Sequence, residues 1–232
     1  MIYNYEVSEV EQKEIYDAYE RILTITCNFI KSLDNQNIFE NFFSCVFLLF
    51  HGFLSSTHIF TKDNDYDYVF FQNISFSLYP LNGIGCCRHA SELLQSLFKK
   101  LGYFGNLVYC ELLEVPVNSP FQKNHAVLKC TVNDQTYFFD LIKWNIGIKK
   151  ENKIISWKND CWYRFEEKDV TIYNRKLKEI TYTYHTIYQK LETKSRELAE
   201  FYDLIMPDLQ AISSILEKYE TYRSLRIQYV YE

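Results

Sequence analysis

The apolar positions of the first third of the chain recur at helical spacing. Between residues 8 and 33 they are Val10, Tyr16, Tyr19, Leu23, Phe29, Ile30 and Leu33, which predicts one amphipathic helix. A second helix is predicted from Ile38 to Leu54. Its most apolar part, FFSCVFLLFHGFL, has 13 residues, fewer than the ~20 that a membrane-spanning helix needs. We therefore interpret this segment as a buried helix.

The pattern is interrupted after this helix and becomes helical again at the paired cysteines. The stretch SSTHIFTKDNDYDY has no periodicity, and VFFQNISFSLY, residues 69 to 79, is compatible with an extended strand. From Cys87 to Leu101 the apolar residues share one helical face; they are Ala90, Leu94, Leu97 and Leu101. Lys99 and Lys100 suit the negative end of a helix, and Gly102 is a C-terminal stop signal.

Three β-like runs follow this helix. They are FGNLVYCELLEV (104–115), HAVLKCTV (125–132) and TYFFDLI (136–142). The last two runs flank Asn133-Asp134-Gln135, which is a hairpin signal. A helix followed by an antiparallel meander predicts an α+β fold.

The C-terminal third returns to a helical pattern. Val170, Tyr173, Leu177, Ile180, Tyr184, Ile187 and Leu191 are spaced by alternating steps of three and four, and after Lys194 the series resumes with Leu198, Phe201 and Ile205. We expect a long helix that ends at Pro207 and a returning helix through Leu209, Ile212, Leu216 and Tyr219, which together form an αα-hairpin. The hairpin either packs on its own domain or serves as a homodimer or partner-binding arm; tyrosines in the seam favour packing within the chain.

Composition and charge narrow the class of protein. The chain has 232 residues, a net charge of -5 and basic residues interspersed with acidic ones, so nucleic acid is not expected as a partner. The acidic start MIYNYEVSEVEQKE is unlike a secretion signal. Seven cysteines in no framework-like spacing favour reduced thiols in the cytoplasm.

The candidate chemistry begins with the adjacent cysteines Cys86 and Cys87. A thiol attacks as its thiolate, and both a helix N-terminus and a nearby imidazole favour that anion. Gly83 and Gly85 permit a tight turn into the helix that begins at Cys87. The backbone N–H of Cys87 could also contribute to an oxyanion hole.

His125 is the best placed of the five histidines to act as the base. His51 and His185 lie in predicted helices, and His58 lies in a loop. His89 points to a different helical face from Cys87, because residues two positions apart do not share a face of a helix. His125 begins a predicted strand. If Asn133-Asp134 is a two-residue turn, Val132 pairs with Gln135 and Asp140 lies diagonal to His125 on the same face. A one-residue change in loop length would place them on opposite faces.

These elements resemble the transglutaminase-like superfamily in its bacterial form. The resemblance rests on Gly85-Cys86-Cys87-Arg88-His89-Ala90-Ser91, Asn124-His125-Ala126-Val127-Leu128 and Tyr137-Phe138-Phe139-Asp140. It covers residues 83 to 144 and implies a papain-related core with Cys87 as nucleophile, His125 as base and Asp140 as the residue that orients the base. Arg88 replaces the tryptophan of animal transglutaminases, and Leu-Ile-Lys follows Asp140 where proline-threonine is common. No calcium-binding loop is evident.

Several alternatives stay open at the level of sequence. Cys86 is the second candidate nucleophile, and Cys86, Cys87, His89 and His125 are weighed as zinc ligands, although adjacent cysteines do not easily bind one metal. Asn82 or Gln72 could supply a second oxyanion donor. Three tryptophans either line a substrate cleft or pack in the core: Trp144, Trp157 and Trp162.

Together these patterns predict an enzyme of three segments. Residues 1–60 form N-terminal helices, 61–165 the catalytic core and 166–232 the C-terminal hairpin. The expected activity is cysteine-dependent acyl transfer, or hydrolysis of an amide or thioester, with a thioester intermediate on Cys87 and a peptide or small-molecule substrate. We expect no cofactor, metal or membrane partner. The alternative is a non-catalytic scaffold of the same fold that binds a partner through its C-terminal helices.

Overall fold

The computed structural model describes residues 8–51, 87–112, 125–141, 144–151, 153–157, 163–165, 171–174 and 177–218. Its helices are α1 (Glu9–Ser32), α2 (Ile38–Val46), which continues as a π-helical turn (Phe47–His51), α3 (Cys87–Lys100), α4 (Lys178–Thr193) and α5 (Ser195–Leu216). Its strands are β1 (Gly105–Leu112), β2 (His125–Val132), β3 (Gln135–Asp140), β4 (Asn145–Lys150), β5 (Lys153–Ser156), β6 (Tyr163–Phe165) and β7 (Thr171–Asn174). The fold is α+β, as the sequence predicts.

The strands form one sheet with the order β6-β1-β2-β3-β4-β5-β7. Strands β1 to β5 are an antiparallel meander, in which each pairs with the next along the chain. β6 adds to the β1 edge in the antiparallel sense, and β7 adds parallel to β5. The sequence pattern predicts β1, β2 and β3. It misses the four later strands, which have at most six residues each.

The turn between β2 and β3 has the geometry that its residues favour. Asn133 and Asp134 have φ angles of 50° and 61°, and positive φ at both central residues is typical of the type I′ hairpin turn. Val132 pairs with Gln135, so the predicted two-residue connection and its register are confirmed. This register determines which side chains of β2 and β3 share a face.

Helices α1 and α2 begin at capping residues. Ser8 and Glu11 form a reciprocal capping box at the start of α1, and the Asn37 side chain accepts hydrogen bonds from two backbone N–H groups at the start of α2. The predicted helix at 8–33 is confirmed, although Val10 and Tyr16 are exposed. The α-helical part of the second helix ends at Val46, and the apolar segment is buried through Leu49. Within the described ranges, no helix has the length and hydrophobicity needed to cross a bilayer.

The C-terminal helices differ from the predicted hairpin. The helix breaks at Lys194 rather than at Pro207, and Pro207 lies inside α5. Tyr173, predicted to be helical, lies in β7. Pro207 and Asp203, the residue whose carbonyl would accept the missing hydrogen bond, are both exposed. Burial of Ile205, Leu209 and other apolar residues of α5 therefore outweighs the ~3 kcal/mol cost of an interior proline.

The main core lies between one face of the sheet and the helices. Leu128 and Phe139 are cross-strand partners on this face, and Phe98 of α3 contacts Phe139 with 5.2 Å between ring centroids. α1 packs against α3 and α5, and α2 packs against α4. The C-terminal helices thus bury their apolar seam on the N-terminal helices, as expected for packing within the chain.

Ion pairs at the surface join the same helices. The guanidinium of Arg21 on α1 binds Asp208 on α5 at 2.7 Å, and the ammonium of Lys190 on α4 binds Glu40 on α2 at 3.0 Å. These contacts match each C-terminal helix with the N-terminal helix that it covers.

Candidate functional site

His125 and Asp140 form a buried pair at one end of the sheet. His125 Nε2 lies 2.6 Å from Asp140 Oδ2, and the two side chains are 2% and 3% exposed. They come from neighbouring strands whose register is determined by the Asn133-Asp134 turn. The prediction that the two residues share a face and lie within reach of each other is therefore confirmed.

The contact with Asp140 selects one tautomer of the neutral imidazole. When Nε2 carries the proton, it donates to the carboxylate, and Nδ1 is then the acceptor nitrogen of the ring. A carboxylate in this position also stabilises the imidazolium that forms when Nδ1 takes up a proton. This arrangement is suited to general base catalysis at Nδ1.

Cys87 lies at the N-terminus of α3. It is the first residue of that helix and is 6% exposed. The first four N–H groups of an α-helix have no intrahelical acceptor, and their dipoles favour an anion at this end. The first turn of α3 carries no acidic side chain, so no fixed negative charge of the helix opposes a thiolate there.

Two hydrogen bonds define how α3 lies on the sheet. The Ser91 hydroxyl donates to the Ala126 carbonyl at 3.0 Å, and Gln95 Nε2 donates to the Gly105 carbonyl at 2.8 Å. Because Gly105 pairs with Cys130, α3 and β2 run in the same direction. Cys87, one turn before Ser91, therefore lies toward the end of β2 that begins with His125.

The alternation of β2 and β3 distinguishes the two faces of the sheet. Leu128 and Phe139 face α3, so His125 and Asp140, each an odd number of residues away along its strand, belong to the opposite face. The structure thus brings His125 and Asp140 into contact and places Cys87 beyond the same end of β2. A contact between the Cys87 thiol and the His125 imidazole would therefore have to be made at this end of the sheet.

The other described thiols are unsuited to attack. Burial raises the pKa of Cys27 to about 11 and that of Cys130 to about 12. It also raises the pKa of Cys45 well above its ordinary value. These thiols are protonated at neutral pH, and protonated thiols are poor nucleophiles. The five described cysteines, among them Cys87, form no disulfide bonds.

Cys110 has a special position among these thiols. It is the cross-strand partner of His125 and therefore shares its face of the sheet. Burial raises its pKa, and the negative charge of Asp140 raises it further. The sequence cannot reveal this pairing, because twelve residues separate β1 from β2 and leave their register open.

Two further buried polar residues lie beside the pair. Asn145 is the cross-strand partner of Asp140, and its Nδ2 donates to Ser156 Oγ at 2.7 Å. Sequence reasoning missed both residues because it did not predict β4 and β5. The alternation in NIGIKKENKIIS, with Glu-Asn at its centre, is the signal that could have revealed this hairpin.

The structure describes two of the three tryptophans that could either line a cleft or pack in the core. Trp157 packs edge-on against Phe43, with 5.2 Å between ring centroids, and its indole N–H donates to Thr181 at 2.9 Å. Trp144 is half-buried against the same core. These contacts indicate packing for both. The other candidates, Cys86, Gly83, Gly85, Asn82, Gln72, His58, Trp162 and the extended run 69–79, lie outside the described residues.

Zinc binding is the alternative chemistry that the sequence offers for this region. Among the residues whose positions are described, no group of three or more histidine, cysteine, aspartate or glutamate side chains could hold a metal ion. The zinc hypothesis includes Cys86, which lies outside that set.

No protein-family model, curated protein or solved structure matches the chain. The α+β fold and the His125–Asp140 contact are properties of the structure itself. The likeness to transglutaminase-like enzymes stays a prediction from the motifs.

Proposed function

We propose that the protein is a cysteine-dependent acyltransferase or hydrolase that acts through Cys87, His125 and Asp140. The observation that carries the proposal is the buried 2.6 Å contact between His125 Nε2 and Asp140 Oδ2. This contact lies at the end of the sheet toward which the first residue of α3 is directed. A thiol, an imidazole and a carboxylate in this order form the relay of cysteine acyltransferases.

The energetics of burial support a functional role for the pair. Removal of a carboxylate and an imidazole from water costs several kcal/mol, and well-packed apolar residues often stabilise a protein equally well or better. The chain nevertheless holds both groups at 3% exposure or less. A catalytic role, in which Asp140 orients the His125 imidazole and stabilises its protonated form during the reaction, would explain why both groups are buried together.

The proposed reaction begins with proton transfer from the Cys87 thiol to Nδ1 of His125. The thiolate attacks the acyl carbon of an amide or thioester, and the carbonyl electrons move to oxygen, where the backbone N–H of Cys87 donates to the oxyanion. As the tetrahedral intermediate collapses, the leaving amine or thiol takes the proton from Nδ1, and a thioester remains on Cys87. Water, or an acceptor amine, then donates its proton to Nδ1, attacks the thioester and releases the thiol.

The architecture around these residues supports a papain- or transglutaminase-like core. α3 packs on an antiparallel sheet, His125 opens one strand, and Asp140 ends the next strand. The order of cysteine, histidine and aspartate along the chain is the order of the motif resemblance. The expected substrate is a peptide or a small acyl compound. A reducing cytoplasmic setting belongs to the same proposal, since the nucleophile has to persist as a thiol.

Thiol alkylation tests the proposal. We expect iodoacetamide to modify one cysteine of the native protein at a pH well below 8, because an activated thiol has a lower pKa than a free cysteine. Peptide mapping should place the adduct on Cys87. The Cys86→Ser variant should keep this reactivity and the Cys87→Ser variant should lose it. His125→Ala should slow alkylation by about 100-fold.

Two outcomes would contradict the proposal. If the cysteines react only after unfolding in urea, no activated thiol exists. If one thiol reacts quickly but His125→Ala leaves its rate unchanged, the imidazole is not the base. Either result would favour the non-catalytic scaffold.

A further inference from the structure

A row of buried polar side chains continues from the His125–Asp140 pair into the sheet. It comprises His125 on β2, Asp140 on β3, Asn145 on β4 and Ser156 on β5, with exposures of 3%, 3%, 1% and 0%. The register places these residues on one face. Asp140 pairs with Asn145, and Ser156 pairs with Gly147, which lies two residues from Asn145. The row therefore crosses four neighbouring strands without a break.

The Asp140 carboxylate requires more than one hydrogen-bond donor. An ionised carboxylate has about four acceptor positions, and the imidazole contact at Oδ2 fills one of them. A buried carboxylate is stable as an anion only where hydrogen-bond donors surround it. Donors close to Asp140 thus determine whether it stays charged and in which direction it points.

Asn145 is well placed to supply such a donor. Directly opposed residues of an antiparallel pair have Cβ atoms about 4.5–5.5 Å apart, and Asn145 is directly opposed to Asp140. Its amide nitrogen carries two N–H bonds. One of them donates to Ser156 Oγ at 2.7 Å, which limits rotation of the amide and presents the nitrogen as a donor.

We propose that Asn145 is a positioning residue for Asp140, and that Ser156 holds the Asn145 amide in the required orientation. In the catalytic hypothesis, which rests on the proposed function, the row acts through Asp140 on the orientation and the tautomer of His125. Asn145 and Ser156 do not touch the reacting atoms. They make the carboxylate a fixed anion rather than a group that rotates or takes up a proton.

The chain offers a matched control for Asn145. Asn41 on α2 is also a buried asparagine, and its Nδ2 donates to Tyr103 Oη at 3.0 Å. It belongs to another element and to another hydrogen-bond network. Substitution of either asparagine by leucine removes a buried amide and keeps the branched shape of the side chain, so the two variants share the general cost of this change.

The experiment compares wild type, Asn145→Leu, Asn41→Leu and Ser156→Ala by NMR of the His125 ring. Long-range ¹H–¹⁵N spectra report which ring nitrogen carries the proton at neutral pH. We expect wild type and Asn41→Leu to hold the Nε2–H tautomer, and Asn145→Leu to show a mixture of tautomers. Ser156→Ala should shift the ring signals in the same direction but less, and it serves as the test if Asn145→Leu does not fold.

The second readout is the rate of thiol alkylation at neutral pH. Loss of one hydrogen bond to a charged group is expected to slow alkylation at neutral pH by about tenfold in Asn145→Leu. Asn41→Leu should change the rate by less than about twofold, as is usual for a remote site. Equal tautomers and equal alkylation rates in the two leucine variants would overturn the positioning role.

The NMR readout also separates this inference from the catalytic proposal. If the wild-type protein has no rapidly alkylated thiol, the proposed enzyme activity fails. The tautomer of His125 still reports whether Asn145 positions Asp140. If a reactive thiol depends on His125 but not on Asn145 or Ser156, only the present inference fails.

Discussion

The Ser91 hydroxyl joins α3 to β2 through a 3.0 Å hydrogen bond to the Ala126 carbonyl. Ser91 lies one turn after Cys87, and Ala126 follows His125 directly. The bond therefore links the two elements that carry the candidate nucleophile and the candidate base. It is buried, so neither group can exchange this partner for bulk water.

Removal of this hydroxyl should affect both stability and thiol reactivity. We expect Ser91→Ala to lower the free energy of unfolding by about 1–3 kcal/mol, because it leaves a buried carbonyl without this donor. It should also slow alkylation of Cys87 by loosening the start of α3. Urea denaturation and alkylation rates measure the two effects. Ser96→Ala is the control, since the Ser96 hydroxyl donates within α3, to the Glu92 carbonyl at 3.0 Å; equal effects of the two variants would contradict the prediction.

Replacement of Asp140 by asparagine should reverse the polarity of its contact with His125. An amide nitrogen placed at 2.6 Å from Nε2 would donate to it and favour the Nδ1–H tautomer, which cannot accept the thiol proton. We expect Asp140→Asn to slow alkylation of Cys87 by at least about 100-fold, with a smaller change in stability. A rate close to that of the wild type would show that the carboxylate has no part in thiol activation.

The buried thiols should resist modification in the folded protein. Cys27, Cys45, Cys110 and Cys130 have pKa values raised by burial, so they stay protonated at about pH 8, where a free cysteine is partly ionised. We expect none of the four to be alkylated until the protein unfolds. Rapid native labelling of Cys110 would instead identify it as the thiol activated by His125.

The same shifts predict how stability depends on pH. The folded pKa of Cys27 is about 11 against an ordinary value of 9.0, so the unfolded state loses this proton first. Its contribution to stability is fully present below pH 9.0 and is lost as the pH rises through about 11. Urea midpoints measured in this range should fall, and Cys27→Ala should reduce the slope.

Proline within α5 should be a site where stability can be gained. Pro207→Ala restores a backbone N–H that can donate to the exposed Asp203 carbonyl, and it removes no core contact because Pro207 is exposed. We expect a gain of about 1–2 kcal/mol after allowing for the lost stiffness of the unfolded chain. Thermal unfolding measures it, with Met206→Ala as the neighbouring exposed control. A loss of stability would indicate that Pro207 helps α5 to fit α1.

The C-terminal helices should not form a dimer through their apolar seam. Ile187 and Ile205 of that seam are fully buried within the chain, where α4 and α5 cover α2 and α1. Sedimentation equilibrium at high protein concentration should therefore give the mass of a monomer. A dimer that persists on dilution would require another surface or an exchange of these helices between chains.

Local rules were sufficient for the elements that contain the candidate residues. The helical spacing of Ala90, Leu94 and Leu97 and the stop at Gly102 predict α3, and Gly102 has a φ of 91°. The Asn133-Asp134 turn predicts the β2–β3 register, and with it the shared face of His125 and Asp140. These predictions hold because each depends on residues close together in the chain.

In the C-terminal helices, tertiary packing overrides local helix propensity. Pro207 is a strong helix terminator by propensity, yet α5 continues through it because the proline lies on the exposed side. The heptad-like series is interrupted at Lys194 and resumes with Leu198, and the chain turns at Lys194 so that α4 and α5 each cover a different N-terminal helix. Periodicity records which residues are buried and does not record against which surface.

The sequence by itself therefore determined the α+β class, the helices α1 to α3 and the β2–β3 hairpin, and it permitted a contact between His125 and Asp140 on one face of that hairpin. Each of these follows from side-chain periodicity or from turn chemistry within a few residues. Only the tertiary structure decided that Cys110 lies opposite His125, that Asn145 and Ser156 extend the polar row, and that β7 pairs in parallel with β5. The contacts of Cys110 with His125 and of β5 with β7 join strands separated by long connections, whose register depends on the whole core rather than on any local pattern.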